Sequence, residues 1–264
     1  MKKMILVNLL LATCLLVVGQ KSADKISKWY LKPAVGINIP ITSLFKGEVT
    51  DNLFEYDDHS YYWQVISADF FFHKNWGLEF TYQGSSSKNI AGRAARFDSE
   101  MTERYSDDYY VKPTSSDLFG ESSTWIGGNI EKGYLGIVYR MEKPKLLFLY
   151  KLFIGVTSFR TDWAGVILKE KGTNTIIEIQ YDTGKRPNDH FTIAPAFTFG
   201  YRLSKRFVVN VDILYSFFKT DNTFTEVTRN KNTGETIYST TNYTKDIHTL
   251  SIGLGIIIEL KPVF

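Results

Sequence analysis

The sequence predicts an all-β fold: a closed antiparallel eight-stranded up-and-down transmembrane β-barrel with short periplasmic turns and long extracellular loops. Three observations predict it. Apolar residues recur at every second position in eight successive runs, the period of a strand with two unlike faces. The links between runs alternate between very short and very long. Aromatic rings collect at both ends of the runs, as they do at the two interfaces of a bilayer.

Composition narrows the field first. The chain has 264 residues, 22% of them charged, with 5 Trp, 16 Tyr and 19 Phe. So many rings exclude disorder, and a mean hydropathy of −0.16 excludes a bundle of membrane helices. Residues 1–23 read as a cleaved signal peptide: Lys2 and Lys3 precede an apolar stretch from Met4 to Val18, too short to span a bilayer as a helix. The remaining segment, 24–264, is taken as a single barrel domain. Cys14 is the only cysteine and lies in the signal, so no disulfide framework or thiolate site is expected. Removing Lys2, Lys3 and Lys21 takes the formal charge from +3 to zero, which leaves no electrostatic case for nucleic-acid binding.

The clearest run is 246–260. Leu250, Ile252, Leu254, Ile256, Ile258 and Leu260 share one face, and Ser251, Gly253, Gly255, Ile257 and Glu259 the other. Runs 207–217 and 191–201 alternate in the same way, and five earlier strands are read at 28–41, 61–72, 76–83, 133–141 and 146–159. No stretch beyond the signal shows convincing helical periodicity. The short links are His73-Lys74-Asn75, 142–145 and Ser204-Lys205-Arg206; the long ones cover 42–60, 84–132, 160–190 and 219–245. An inner aromatic belt is expected from Trp29, Phe72, Trp76, Tyr139, Tyr201 and Phe207. The outer belt is expected from Tyr62, Trp63, Tyr82, Phe159, Trp163, Phe191 and Phe217.

With the apolar face toward lipid, the lumen receives Lys32, Asp69, Glu79, Arg140, Lys151, Arg202, Asp212 and Glu259. Four cations meet four anions. If Phe72 stands opposite Trp76 across the first short turn, Asp69 faces Glu79, two carboxylates a few ångströms apart. Such a pair either shares a proton for acid/base work or is neutralised in an ion-pair network. The second reading is favoured, and in a barrel this narrow the network blocks the passage.

The segments 223–229 and 235–243 flank a turn at Asn230-Lys231-Asn232-Thr233-Gly234 and are rich in Thr, Val, Ile and Tyr, which predicts a hairpin extending past the membrane. The segments 164–169 and 175–181 around Gly172-Thr173-Asn174 predict a second. In the long 84–132 segment, Lys88, Arg93, Arg96 and Arg104 are candidate contacts for lipopolysaccharide phosphates.

On this alternation and the terminal Phe264, the chain resembles the small eight-stranded outer-membrane barrels of Gram-negative bacteria, the OmpA and OmpX type, over residues 28–264. Pro262 departs from the usual terminal pattern. The resemblance implies outer-membrane localisation, recognition of Phe264 by the barrel-assembly machinery, and an outer surface in contact with lipid, lipopolysaccharide or an extracellular protein or glycan. No cofactor is implied. The barrel-borne hydrolases place a His-x-Ser pair that His59, His73, His190 and His248 do not supply. Asp246-Ile247-His248 resembles the omptin Asp-x-His pair, but the second acidic pair of those proteases is missing, so no catalytic residues are assigned. Metal binding by Asp57, Asp58 and His59 is weakly supported. The leading expectation is a non-enzymatic surface barrel; the alternatives are a small porin-like channel and an enzyme built on the rim Asp-x-His pair.

Overall fold

A computed structural model describes residues 28–42, 59–86, 90–113, 130–159, 164–182 and 188–260. The signal segment 1–23, Lys88 and Phe264 lie outside these residues.

Eight staves close the barrel. The first is made of β1 (Lys28–Leu31) and β2 (Ala34–Pro40), followed by β3 (Ser60–Phe71) and β4 (Trp76–Ser86). The chain then forms helix α1 (Ile90–Tyr105) and a short strand β5 (Tyr109–Pro113) before the staves β6 (Ile130–Glu142) and β7 (Leu146–Phe159). After β8 (Ala164–Glu170) and β9 (Ile176–Asp182) come β10 (Asn188–Arg202), β11 (Phe207–Asn230) and β12 (Thr236–Leu260). Neighbouring staves pair antiparallel, and β12 returns to β1 and β2 through Leu31↔Ile258 and Gly36↔Gly253. No edge remains at membrane level, which a strand structure in hydrocarbon requires.

The outward face of this wall is apolar over its whole width. Val35, Ile37, Phe80, Ile137, Leu152, Ile154, Val209, Ile213, Leu254 and Ile256 are all exposed. On a soluble protein this would be an aggregation surface; around a closed barrel it is the lipid contact. The inner ends of the staves carry exposed Trp29, Phe72, Trp76, Tyr201 and Phe207, the aromatic belt expected there.

One member of the outer belt is corrected. Tyr62 is 3% exposed and points into the lumen. The cause is a bulge in β3: Trp63 pairs with Gly84 but Ile66 with Tyr82, so one extra residue enters between them and reverses the alternation. Val65 and Ile66 therefore both face outward, while Ser67, Asp69 and Phe71 are buried after the bulge as Ser60, Tyr62 and Gln64 are before it. Gln64 Nε2 donates to the Lys32 carbonyl at 2.8 Å, tying the bulge to the break between β1 and β2.

At 24 and 25 residues, β11 and β12 are far longer than a bilayer needs, roughly 80 Å each at strand rise. Their outer halves stay paired up to Arg229↔Thr236. Beside them the sheet continues with β9, β8 and β5. Its order β12-β11-β9-β8-β5 repeats the order β12-β11-β10-β7-β6 below it, so five staves are prolonged outward as a half-wall. Both predicted hairpins are present, each with a glycine at positive φ in its turn, Gly234 (78°) and Gly172 (85°).

The reading that no helix follows the signal is overturned by α1. Phe97 and Met101, one helical turn apart, are fully buried against Val166, Leu168, Ile179 and the inward-facing rim residues Ile130, Phe218 and Ile247. Tyr105 and Tyr109 pack at the margin of the same cluster.

Candidate functional site: the filled lumen and the outer sheet

The lumen is layered, because inward residues of neighbouring staves meet at matched heights. At the inner end Tyr30, Phe71, Val138, Leu147, Leu149, Val208 and Ile257 form one apolar cluster. Arg140 enters this layer: its Nη1 donates to Tyr30 Oη at 2.9 Å, its Nη2 to the Lys74 carbonyl, and its guanidinium lies 4.3 Å from the centre of the Phe71 ring. Arg202 contacts Glu142 and lies 3.3 Å from Glu259 at the same end, partly open to water.

The ionic layer stands above. Asp69 and Glu79 are directly opposite in register. Lys32 Nζ lies 2.6 Å from Asp69 Oδ1 and also contacts Glu79. Lys151 Nζ lies 3.3 Å from Glu79 Oε2 and 3.1 Å from Asp212 Oδ1. Ser67 and Thr81 donate to Glu79 at 3.1 and 2.8 Å, and Thr198 and Asn210 donate to Asp212. The expected eight charges thus separate into a central group of five, Lys32, Asp69, Glu79, Lys151 and Asp212, and an inner-rim group of Arg202 and Glu259 joined by Glu142. Arg140 belongs to neither and is held by aromatic rings.

Over the ionic layer lie Tyr134, Phe153, Ala194 and Leu214, with Tyr134 and Phe153 stacked at 5.8 Å between ring centres. Tyr62 covers the glycine pair Gly36 and Gly253, where a Cβ on Gly253 would lie 1.9 Å from its hydroxyl. Higher still is a layer of hydroxyls and amides around Lys132, 1% exposed, and then the apolar cluster around Phe97 and Met101. The alternating pattern misses Lys132 because the start of β6 reads as loop sequence, and it misses the apolar layers because large side chains fill a narrow interior whatever their polarity.

The candidate lipopolysaccharide contacts are only partly placed. Lys88 is outside the described residues, and Arg93 and Arg96 lie on α1. Arg104 is exposed in its last turn, 5.8 Å from the Tyr105 ring centre. Asp246 and His248 share the outward parity of β12. His248 Nδ1 is 2.5 Å from Tyr215 Oη, and its ring contacts those of Tyr215 and Phe217, so the pair stands on the outer wall and not over the mouth. Asp57 and Asp58 lie outside the described residues, and among the described residues no group of three His, Cys, Asp or Glu side chains could hold a metal ion.

The hairpin tips are joined. Asn232 Oδ1 accepts from the Ile176 amide at 2.8 Å and its Nδ2 donates to the Asn174 carbonyl at 3.0 Å, while Lys231 pairs with Glu178 at 3.3 Å. In the β8–β9 turn the hydroxyls of Thr173 and Thr175 hold the Glu170 carboxyl below its ordinary range.

A closed wall, an apolar exterior and a filled interior define an eight-stranded transmembrane β-barrel of the outer-membrane type. No family model and no curated protein matches the sequence. Among solved structures it is similar to a major outer membrane protein from Thermus thermophilus, at 12% identity and a TM-score of 0.37 over 89% of this chain and 99% of that one. It is also similar to the outer membrane protein AlkL, at 12% and 0.35 over 93% and 96% of the two chains. The outer membrane protease OmpT from Escherichia coli follows at 8% and 0.29 over 92% and 99%. Likenesses this distant carry nothing beyond the barrel, whose class rests on its own closure and apolar exterior.

Proposed function

We propose that this barrel is a closed, non-conducting anchor whose work is done by its outer half-wall, in contact with lipopolysaccharide or with an extracellular protein or glycan. The observation that supports it best is the succession of layers along the lumen: an apolar cluster at each end and an ion-pair group between them. A pore needs a continuous water path, and each of these layers opposes one. In planar bilayers the purified protein should insert without stable open events; a reproducible unitary conductance overturns the reading.

The half-wall has a surface suited to contact. Thr236 to Thr244 of β12 carries no charge, proline or glycine, and among the described residues it has a strand partner on one side only. Edges of this kind accept an added strand. The opposite edge, β5, is short and carries Lys112 and Pro113, which discourage pairing. Tyr238 is 67% exposed on the β12 arm. Tyr238→Lys should lower binding of barrel-expressing cells to an immobilised extracellular matrix without changing the amount of folded barrel. Unchanged binding removes the edge from the proposal.

A further inference from the structure

The outer arm of β12 is complementary to itself. From Glu235 to Lys245 it reads Glu-Thr-Ile-Tyr-Ser-Thr-Thr-Asn-Tyr-Thr-Lys, an acid at one end, a base at the other and no charge between. Laid antiparallel on a copy of itself about Thr240, it sets Thr236 opposite Thr244, Tyr238 opposite Asn242, and Glu235 opposite Lys245 at both ends. Sliding the register two residues either way loses both charge pairs. Threonine pairs and opposite charges across two strands are each favourable.

The backbone of the arm is set for such a pairing. The His248 carbonyl accepts from the Ile41 amide at 2.9 Å and the Asp246 carbonyl from Thr42 Oγ1 at 3.3 Å, so even-numbered residues of β12 turn their backbone groups toward β2. The ladder with β11 continues unbroken to Arg229↔Thr236, which keeps that alternation along the whole arm. Ladder pairing with β2 ends at Thr249↔Pro40, and the bonds of Ile41 and Thr42 reach only to Asp246. Beyond it the edge-facing amides and carbonyls of Thr244, Asn242, Thr240, Tyr238 and Thr236 have no partner among the described residues. Paired about Thr240, these residues fall opposite one another and exchange about ten backbone hydrogen bonds. Glu235 and Lys245 then take the closer, non-hydrogen-bonded positions, where side chains meet most directly.

We infer that this arm binds the same arm of a second copy of the chain held in an opposing membrane, so that the barrel joins one cell envelope to another. The opposing membrane follows from strand direction. Within one membrane every β12 runs toward the bilayer, and a two-fold axis between neighbours would set Glu235 beside Glu235 and Lys245 beside Lys245. Copies facing each other across a gap bring the arms together antiparallel. One such pairing is small, and many copies along two apposed surfaces multiply it. The inference rests on the proposed role of the β12 edge and names its partner.

Cells displaying the full barrel in two fluorescent colours, at equal amounts of folded barrel, test this by clumping. Wild type should clump with wild type and leave barrel-free cells out. Glu235→Lys alone and Lys245→Glu alone should each clump about tenfold less or worse, because like charges then meet at both ends. Mixing the two variants should restore clumps of both colours, since every lysine again meets a glutamate. Dispersed wild type, clumps that admit barrel-free cells equally, or a mixture no better than either variant overturns self-pairing. Thr240→Cys gives a reading without any change of charge. At the two-fold centre its Cα atoms lie about 5.5 Å apart, within disulfide range, so copper-phenanthroline should link dimers in clumped cells. Tyr238→Cys, opposite Asn242, should link far fewer; equal yields, or none from Thr240→Cys, remove the register. Matrix binding that persists while wild type stays dispersed removes only the second copy and leaves the edge its role. Tyr238→Lys that loses neither matrix binding nor clumping removes the edge itself.

Discussion

Asp69 and Glu79 face each other across β3 and β4 with Lys32 bridging them, its Nζ 2.6 Å from Asp69 Oδ1. All three are almost completely buried. Replacing Lys32 by Met leaves two carboxylates side by side with only Lys151 to serve one of them. Loss of one partner from a buried pair costs about 3–5 kcal/mol. Urea titrations of tryptophan fluorescence in vesicles should show a loss of that order for Lys32→Met. Adding Asp69→Asn to the variant should recover much of it; equal stability of wild type and Lys32→Met would show that the group contributes nothing.

Tyr62 lies on a pair of glycines from two other staves, and that contact is testable as a pair. A methyl group at position 253 meets the Tyr62 hydroxyl and, at 3.2 Å, the Val35 carbonyl. Gly253→Ala should destabilise the barrel by about 1–3 kcal/mol, the usual cost of overpacking. In the background of Tyr62→Ala the same substitution should cost almost nothing, because the obstructing ring is gone. Equal costs in the two backgrounds would remove Tyr62 as the reason for glycine here.

Phe97 and Met101 are the two residues by which α1 packs against Ile130, Phe218 and Ile247. Phe97→Ala should cost about 3–5 kcal/mol of local packing. That loss falls on the helix and leaves the eight staves paired. Trypsin added outside should then cut near Arg104, while the barrel core keeps its heat-dependent gel shift. Resistance equal to wild type would place the contacts that hold α1 elsewhere.

The β8–β9 turn responds to acid. Thr173 Oγ1 donates to Glu170 Oε2 at 2.6 Å, and hydrogen bonds from Thr173 and then Thr175 favour the ionised carboxylate. A carboxyl held below its ordinary value near 4.5 stabilises the turn above that pH and loses the contribution as pH falls through the lowered value. The Thr173 and Thr175 resonances should therefore shift together below about pH 4.5 and remain flat in Glu170→Gln. Titration of these signals near neutrality would contradict the assignment.

The strands are legible in the sequence because lipid and lumen impose opposite demands on alternate residues, which is why the 246–260 and 207–217 runs can be faced correctly from sequence. The short turn at His73-Lys74-Asn75 likewise fixes Asp69 opposite Glu79. Three features are not legible, each for a physical reason. The bulge between Trp63 and Ile66 shifts parity without any glycine or proline to mark it, so simple alternation puts Tyr62 on the wrong side. Helix α1 buries only one narrow stripe: Phe97, Met101 and Tyr105 have the right spacing, but three residues amid charge read as loop. Lys132 sits beside Glu131 at a strand end, where a charged pair ordinarily signals water.

The central claim is that alternate residues of one strand meet hydrocarbon and a sealed lumen, and a nitroxide scan along β12 from Thr249 to Ile258 tests it most directly. Collisions with dissolved oxygen should peak at Leu250, Ile252, Leu254 and Ile256, with Ser251 and Ile257 shielded from both oxygen and a water-soluble nickel quencher. Quenching by nickel at Ser251 and Ile257 would mean a water-filled channel, and quenching at Ile252 and Leu254 would mean that the apolar face does not contact lipid.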